Sequence, residues 1–472
     1  MISPINKSEF FASLPAPWPE DLLSVIRAEV GASRRKLVVL DDDPTGTQTV
    51  HDVPVLTTWE PAALVREFAN DLPCFYLLTN TRAFPTAEAV RINREIAHNL
   101  AIASGDHDFI VLSRGDSTLR GHFPDETDAL GRALTGGGLL TPPLLLVPYF
   151  EAGGRYTVND VHYVADDDAL VPAGYTMFAK DAAFGYRSSN LCAWVEEKSG
   201  GAIKAPDVKT ISLNDIRIGG PAAVIAKFSA LCDGEVCIAN AAAPRDLEVL
   251  AWAALQAEKL GSRLIYRTAA SFVAARLGIG PSLLWQPVHH RSGGEHGGLI
   301  MVGSHVPKTT QQLESLLAKS AVVPLELPVI DLLDDELRGE ILCHAIERAN
   351  DGIRAGRDVV VFTSRVLISG GGAEESLAIS SQVSEALVEL LRGIDAAPRF
   401  IIAKGGITSS DLATRALGVK RSMVLGQILP GIPVWELGPE TKFPGLPYVV
   451  FPGNVGGPES LAEALGKFNH ST

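Results

Sequence analysis

Short, continuous apolar runs alternate along the chain with stretches in which apolar residues recur at helical spacing. The runs KLVVL (36–40), VPVLTT (53–58), CFYLLT (74–79), FIVLS (109–113) and LLLVPYF (144–150) mark the first part. Between them, TAEAVRINREIAHNLAIA (86–103) and PDETDALGRAL (124–134) carry the period of amphipathic helices. Continuous rather than alternating hydrophobicity predicts strands covered on both faces, as in a parallel sheet. The stretches 236–257 and 263–278 repeat the order strand, loop, helix, and 298–317, 358–391, 399–418 and 448–466 do so again. Gly418 stands where a helix ends and Pro458 where one begins. The fold class expected is α/β.

PVHHRSGGEHGG (287–298) breaks the pattern with no period of its own and reads as a linker. At 472 residues the chain exceeds one comfortable core. The expected division is an extension at 1–35, a domain at 36–286, a linker at 287–297 and a second domain at 298–472. Each domain is expected to be a mainly parallel sheet flanked by helices, with a cleft between the two. His289, His290 and His296 fit a solvated tether better than a metal site. Five cysteines, two of them (Cys74 and Cys237) inside apolar runs, suggest buried free thiols. Cys232 and Cys237 lack the second pair a zinc site needs, so no metal site is expected. A net charge of −14 leaves no basic surplus for nucleic acid or an anionic membrane. MISPINKSEF has no basic start followed by an apolar core, and no run is long enough to span a bilayer. A soluble, cytoplasmic protein is expected.

Candidate chemistry gathers where strands end. LDDDPTGTQTV (40–50) puts Asp41, Asp42 and Asp43 at such an end. Three carboxylates there could be a phosphatase nucleophile pair, a metal site or a grip on polyol hydroxyls. TNTR (79–82) adds Asn80 and Arg82, and SRGDSTLRGHFPDE (113–126) adds Arg114, Asp116, Ser117, Thr118 and Arg120. Arginine pairs bidentately with a carboxylate and aspartate accepts from hydroxyls, so the set suits a polyhydroxylated carboxylic acid. In the second half the loops GSHVPKT, SGGG, KGGITSS and PGNVGG are rich in glycine, as a phosphate requires for close backbone approach. Within KGGITSSD, Gly405 and Gly406 make the turn, Thr408, Ser409 or Ser410 is expected to cap the helix, and Lys404 to supply a full positive charge. The sequence contains no Walker A loop, G-x-G-x-x-G, G-x-S-x-G or H-E-x-x-H. A bound ATP would therefore use an unusual arrangement.

Taken in order, these motifs resemble those of the four-carbon acid sugar kinases. DDDPTGTQTVHD (41–52), TNTR (79–82), GDSTLRGHFPDE (115–126), GRYTVNDVHYV (154–164) and RSSNL (187–191) are similar to that family's sugar-acid domain. GSHVPKTT (303–310), KGGITSSDLATRALG (404–418), LPGIPVW (429–435) and FPGNVGG (451–457) are similar to its nucleotide domain. The resemblance implies an ATP- and Mg2+-dependent kinase acting on the terminal hydroxyl of threonate, erythronate or 3-oxo-tetronate. It implies nucleotide contacts at Ser304, Gly405, Gly406, Ile407, Thr408 and Gly453, with Lys404 beside them. Ile407 replaces an acidic residue common at that turn, and ANAAAP (239–244) replaces an aspartate-containing version. For the acid, the implied contacts are Asp42, Asp43, Thr45, Asn80, Arg82, Asp116, Ser117 and Arg120, with the carboxylate on Arg82 or Arg120. Asp116, or else Asp43, is the implied base. The implied partners are the sugar acid and ATP, and a homo-oligomer stays open.

Two other readings stand beside it. VVLDDDPTGT also matches the opening D-x-D-x-T of haloacid-dehalogenase-like phosphatases, with Asp41 as nucleophile and Asp43 as acid/base. Those enzymes need a further acidic pair at a strand end, for which ADDDAL (165–170) is the available stretch. The third reading is a sugar-acid sensor without catalysis.

Overall fold

The structure is a computed structural model and describes residues 5–137, 141–280, 284–287, 295–365, 368 and 373–469. The linker histidines 289 and 290 and the SGGG loop at 369–372 lie outside the described residues. The chain forms two compact units, residues 1–50 with 58–282, and residues 51–57 with 283–472.

In the first unit the apolar runs do form a parallel sheet. Its order is Lys209–Ile211, Val236–Ala239, Leu144–Val147, Ile265–Thr268, Phe109–Arg114, Lys36–Asp41, Cys74–Leu78. Every residue of Lys36–Asp41 and Cys74–Leu78 is buried, as continuous hydrophobicity requires of strands covered on both faces. Thr86–Ala103 and Asp125–Leu134 are helices, as their periods predict. A small antiparallel sheet, Ile5–Asn6, Ala169–Pro172, Val161–Asp166, Arg155–Val158, joins this unit. Its turn holds the acidic run 166–168, where Asp168 accepts hydrogen bonds from Asn6 and Ser8. The run is therefore a hairpin tip and not the end of a parallel strand.

In the second unit five strands run parallel in the order Val323–Leu327, Val359–Thr363, Leu299–Val302, Ile401–Lys404, Pro447–Phe451. An antiparallel extension follows: Ile432–Leu437, Arg421–Leu429 and finally Val53–Leu56. The run 53–58, although it lies among the early strands in sequence, is thus part of the second sheet. Trp285 also donates to the Gln427 carbonyl of this unit, at 2.7 Å. The core lies between this sheet and its helices, with Ile300, Val302, Ile402, Val449 and Phe451 against Leu313, Leu461 and Leu465. Among the described residues no helix is long and apolar enough to cross a membrane.

Candidate active site

Each sheet has one strand at which the chain's direction of winding reverses. In the first unit the strands after Lys36–Asp41 are laid down on opposite sides of it, Cys74–Leu78 on one and Phe109–Arg114 on the other. Such a point opens a crevice at the carboxyl ends of the strands, the usual ligand position in open α/β sheets. The acidic run begins there. The topology also delivers Arg82 just beyond Cys74–Leu78, Arg114 and Asp116 at the end of Phe109–Arg114, and Arg267 near the end of Ile265–Thr268.

The result is a network of alternating charge. Arg114 Nη1 lies 3.1 Å from Asp41 Oδ1 and 3.3 Å from Asp42 Oδ1. Arg82 reaches Asp42 at 3.1 Å, Asp43 at 3.0 Å and Asp116 at 3.8 Å. Arg120 Nε donates to Asp116 Oδ2 at 2.7 Å, and its Nη1 sits 3.5 Å from Asp181. Behind them, Arg267 donates to Ser113 Oγ at 2.9 Å and lies 3.6 Å from both Asp42 and Glu126. Asp41 and Asp42 are buried, whereas the side chains of Asp43 and Asp116 keep 24% and 12% of their surface exposed. A ligand would meet those two carboxylates before Asp41 and Asp42.

Burial and charge act in opposite senses on these groups, and the balance differs along the run. Burial raises the Asp41 carboxyl, Arg114 offsets this only in part, and Asp42 and Asp43 add to the rise, so it is pushed up to about 7. Burial would raise Asp43 too, but Arg82, Arg114 and the hydrogen bonds from Thr45 outweigh it and hold the group below its ordinary value. At Asp116 burial is again overcome, here by Arg82 and Arg120 with hydrogen bonds from Thr118 and Arg120, and the carboxyl is held well below the usual range. The carboxyls of Asp41 and Asp43, two residues apart, are therefore displaced in opposite directions.

Several expected residues act through the backbone. Asp43 caps the turn Pro44–Thr47, accepting from Thr45 N at 2.8 Å and from Thr45 Oγ1, so Thr45 orients Asp43. Gly46 packs on Asp41 so closely that a Cβ would lie 2.0 Å from Oδ2. Asn80 adopts a left-handed conformation (φ 52°) and donates its N–H to the Asp41 carbonyl at 3.3 Å. The Ser117 carbonyl accepts from His162 Nε2 at 2.8 Å, and the Thr118 carbonyl from the Tyr186 hydroxyl at 2.7 Å. Glu126, which closes the GDSTLRGHFPDE motif, joins the cluster although no role was expected of it, and Arg267 joins with no sequence signal beyond a charge near an apolar segment. Asn240, in the variant ANAAAP stretch, is buried and spans Asp160 and the Ile211 carbonyl, a structural role.

The second unit repeats the topology. Strands on opposite sides of Leu299–Val302 are Val359–Thr363 and Ile401–Lys404, so the winding reverses where Ser304 follows. Gly405 has φ 121°, open to glycine alone, and a Cβ there would press within 3.1 Å of both Ser304 Cβ and Thr408 Oγ1. Gly453 faces the Ser304 hydroxyl, with 3.5 Å to the position its Cβ would take. Ser304, Gly405, Gly406, Thr408 and Gly453 thus share one strand-end surface, and Ile407 projects from it with 64% exposure. Arg365, not expected from sequence, donates to the Ser304 carbonyl at 2.7 Å.

Two details differ from expectation. The helix starts at Gly406, with Gly405 as its cap, so Thr408, Ser409 and Ser410 lie inside it; Ser409 Oγ donates back to the Ala403 and Gly405 carbonyls. Lys404 is fully buried, its Nζ 4.0 Å from the centre of the Phe451 ring and donating to the Pro452 carbonyl at 2.6 Å. Burial, with Lys308 adding to it, lowers its ammonium to about 7. It ties the turn at Gly453 to its neighbouring strand and presents no full charge to solvent. His296 Nδ1 meets the Ala397 carbonyl at 2.8 Å.

The raised Asp41 carboxyl has a measurable consequence. Between the unfolded carboxyl value and about pH 7 the folded chain keeps a proton that the unfolded chain has released, so stability falls as pH rises through that window. Asp41→Asn is expected to flatten this fall in thermal or denaturant unfolding. An Asp41→Asn offset that is the same at about pH 4.5 and about pH 7 would exclude the protonated Asp41.

Comparison with known proteins follows the same division. Residues 37–276 match a family model described as a sugar-binding N-terminal domain, and residues 299–461 one described as a nucleotide-binding C-terminal domain. Among curated proteins none matches the chain. A Haemophilus influenzae structure of the DUF1537 family aligns with a TM-score of 0.63 at 18% identity, covering 91% of this chain and 100% of that one. A Salmonella typhimurium LT2 structure with a provisional tRNA-synthase description aligns with a TM-score of 0.66 at 18% identity, covering 91% and 98%. Identities this low establish a common fold alone. With both domain models matched in order over most of its length, the chain belongs to the four-carbon acid sugar kinase family.

Proposed function

We propose that this protein is an ATP-dependent kinase that phosphorylates the terminal hydroxyl of a four-carbon acid sugar: threonate, erythronate or 3-oxo-tetronate. The observation that carries the reading is the aspartate–arginine network at the winding reversal of a sugar-binding domain, in a chain whose second domain binds nucleotide. Hydroxyls of the acid go to Asp43 and Asp116, which keep exposed surface where Asp41 and Asp42 do not. Asp42, held by Arg82 and Arg114, keeps those arginines in place.

Phosphoryl transfer asks the protein mainly to position the reactants and to stabilise spreading negative charge. The entering hydroxyl gains little charge until late in a loose transition state. A weakly basic, ionised carboxylate that orients the hydroxyl and then takes its proton is therefore sufficient. Asp116 fills that role, with Asp43 as the alternative. The tight approach of Gly405, Ser304 and Thr408, which leaves no room for a side chain at 405, fits a cradle for nucleotide phosphates. Ser304, Gly405, Gly406, Ile407, Thr408 and Gly453 would hold the nucleotide, and Lys404 supports the Gly453 turn from beneath. When bound, Mg2+ shields phosphate oxygens. Among the described residues no three His, Cys, Asp or Glu cluster to hold a metal.

The direct test is incubation with ATP, Mg2+ and a panel of four-carbon acids. ADP is expected only with a suitable acid; phosphate released from sugar phosphates would favour a phosphatase, and binding without turnover a sensor. Asp116→Asn is expected to lower kcat by at least about a hundredfold, and a near-normal kcat would remove Asp116 as the base. Thr408→Trp is expected to abolish nucleotide binding while leaving acid binding intact by calorimetry; the opposite result would invert the domain roles.

A further inference from the structure

Among the described residues, one cation beside the network forms no ion pair. Arg155 opens the strand Arg155–Val158, and its Cζ lies 5.3 Å from the centre of the Phe178 ring. Arg120 lies over the same ring, also at 5.3 Å. The two guanidiniums differ in what else they touch. Arg120 is engaged by Asp116 and Asp181. Among the described residues Arg155 forms no ion pair, and its Nε is buried without a hydrogen-bond partner. Burial holds its guanidinium below the ordinary value, and the nearby charge of Asp116 offsets this only in part.

Contact with an aromatic face contributes about 0.5–2 kcal/mol to a cation. Arg155 is partly buried, and withdrawing even part of a guanidinium from water is unfavourable unless a counter-charge is present. Phe178 alone therefore does not account for the position of Arg155. Its neighbours offer no spare anion either. Asp116 is bound by Arg82 and Arg120, and Asp181 accepts from the backbone N–H groups of Ala183 and Phe184 as well as from Arg120. His162, lowered to about 4 by burial, is neutral, and burial keeps the Tyr186 phenol protonated. Arg82 is a poor candidate for an incoming carboxylate because three aspartates already share it.

We propose that Arg155, together with Arg120, binds the carboxylate of the substrate and selects sugar acids over neutral sugar alcohols. The proposal rests on the acid-sugar reading of this site and deepens it by naming the group that recognises the acid. A planar fork with unused donors matches a carboxylate in two parallel hydrogen bonds, which a hydroxyl cannot supply. Arg120, which touches both Asp116 and the ring under Arg155, links the carboxylate end of the ligand to the end where phosphoryl transfer occurs.

Calorimetric titration with threonate and erythronate, and with the matching neutral tetritols, tests this without relying on turnover. The intact protein is expected to prefer the acids. Arg155→Met should weaken acid binding by about tenfold or more and leave the tetritols nearly unaffected. Arg155→Lys should fall between, since it keeps the charge and loses the fork; it also stands in if Arg155→Met does not fold. The proposal is overturned if the intact protein binds no acid. It is equally overturned if a folded Arg155 variant holds the acid within about twofold of the intact protein. Equal losses for acid and tetritol would also overturn it, because a mere brace for Phe178 would produce that pattern. Acid binding that depends on Arg155, with no ADP formed from ATP, would support the carboxylate site while ending the kinase reading.

Discussion

Successive aspartates at the end of a buried strand repel one another, and everything at this site depends on the arginines packed among them. Unit charges about 4 Å apart interact by roughly 4 kcal/mol near a protein surface, a large fraction of the about 5–15 kcal/mol that separates a folded chain from its unfolded state. Arg82 and Arg114 meet the charge from two neighbouring strands, and Arg267 meets it from behind. Because each arginine is shared, no aspartate is neutralised alone. The compensation is also uneven: burial raises the Asp41 carboxyl, whereas arginines hold those of Asp43 and Asp116 low. Separation of this kind between chemically identical groups is how a single cluster can offer both a structural and a reactive carboxyl.

Both domains place their candidate site residues by one topological device, a reversal of winding beside a central strand. The chemistry put there differs completely. In the first, long charged side chains converge and fill the crevice. In the second, side chains are withdrawn, through Gly405, Gly406 and Gly453, and the backbone itself is what remains at the surface. The one cation on that turn, Lys404, points inward to carbonyls.

Much of this was legible in the sequence. Runs such as KLVVL and DVVVF announced strands buried on both faces, and the Asp, Arg and Gly clusters that follow them do stand at strand ends. What escaped has identifiable physical causes. A short apolar run does not encode its partner, so Val53–Leu56 was assigned to the nearer sheet although it pairs with Arg421–Leu429. That partner was itself hidden because Met423 and Leu425 are apolar on the less buried face, which masks the two-residue period. A lysine beside two glycines looks like a phosphate ligand unless one knows that Phe451 lies under it. Arg155 and Arg267 are far from the aspartates in sequence, and only folding brings them near.

The excursion of residues 51–57 into the second unit has a practical meaning for dissecting the protein. No single cut separates the two halves. A fragment beginning after the tether would leave Arg421–Leu429 as a bare outer strand, with unpaired amide and carbonyl groups open to association with other chains. The nucleotide half is thus completed by a piece of polypeptide synthesised before most of the sugar-binding half, and an isolated carboxy-terminal fragment would be inherently prone to self-assembly.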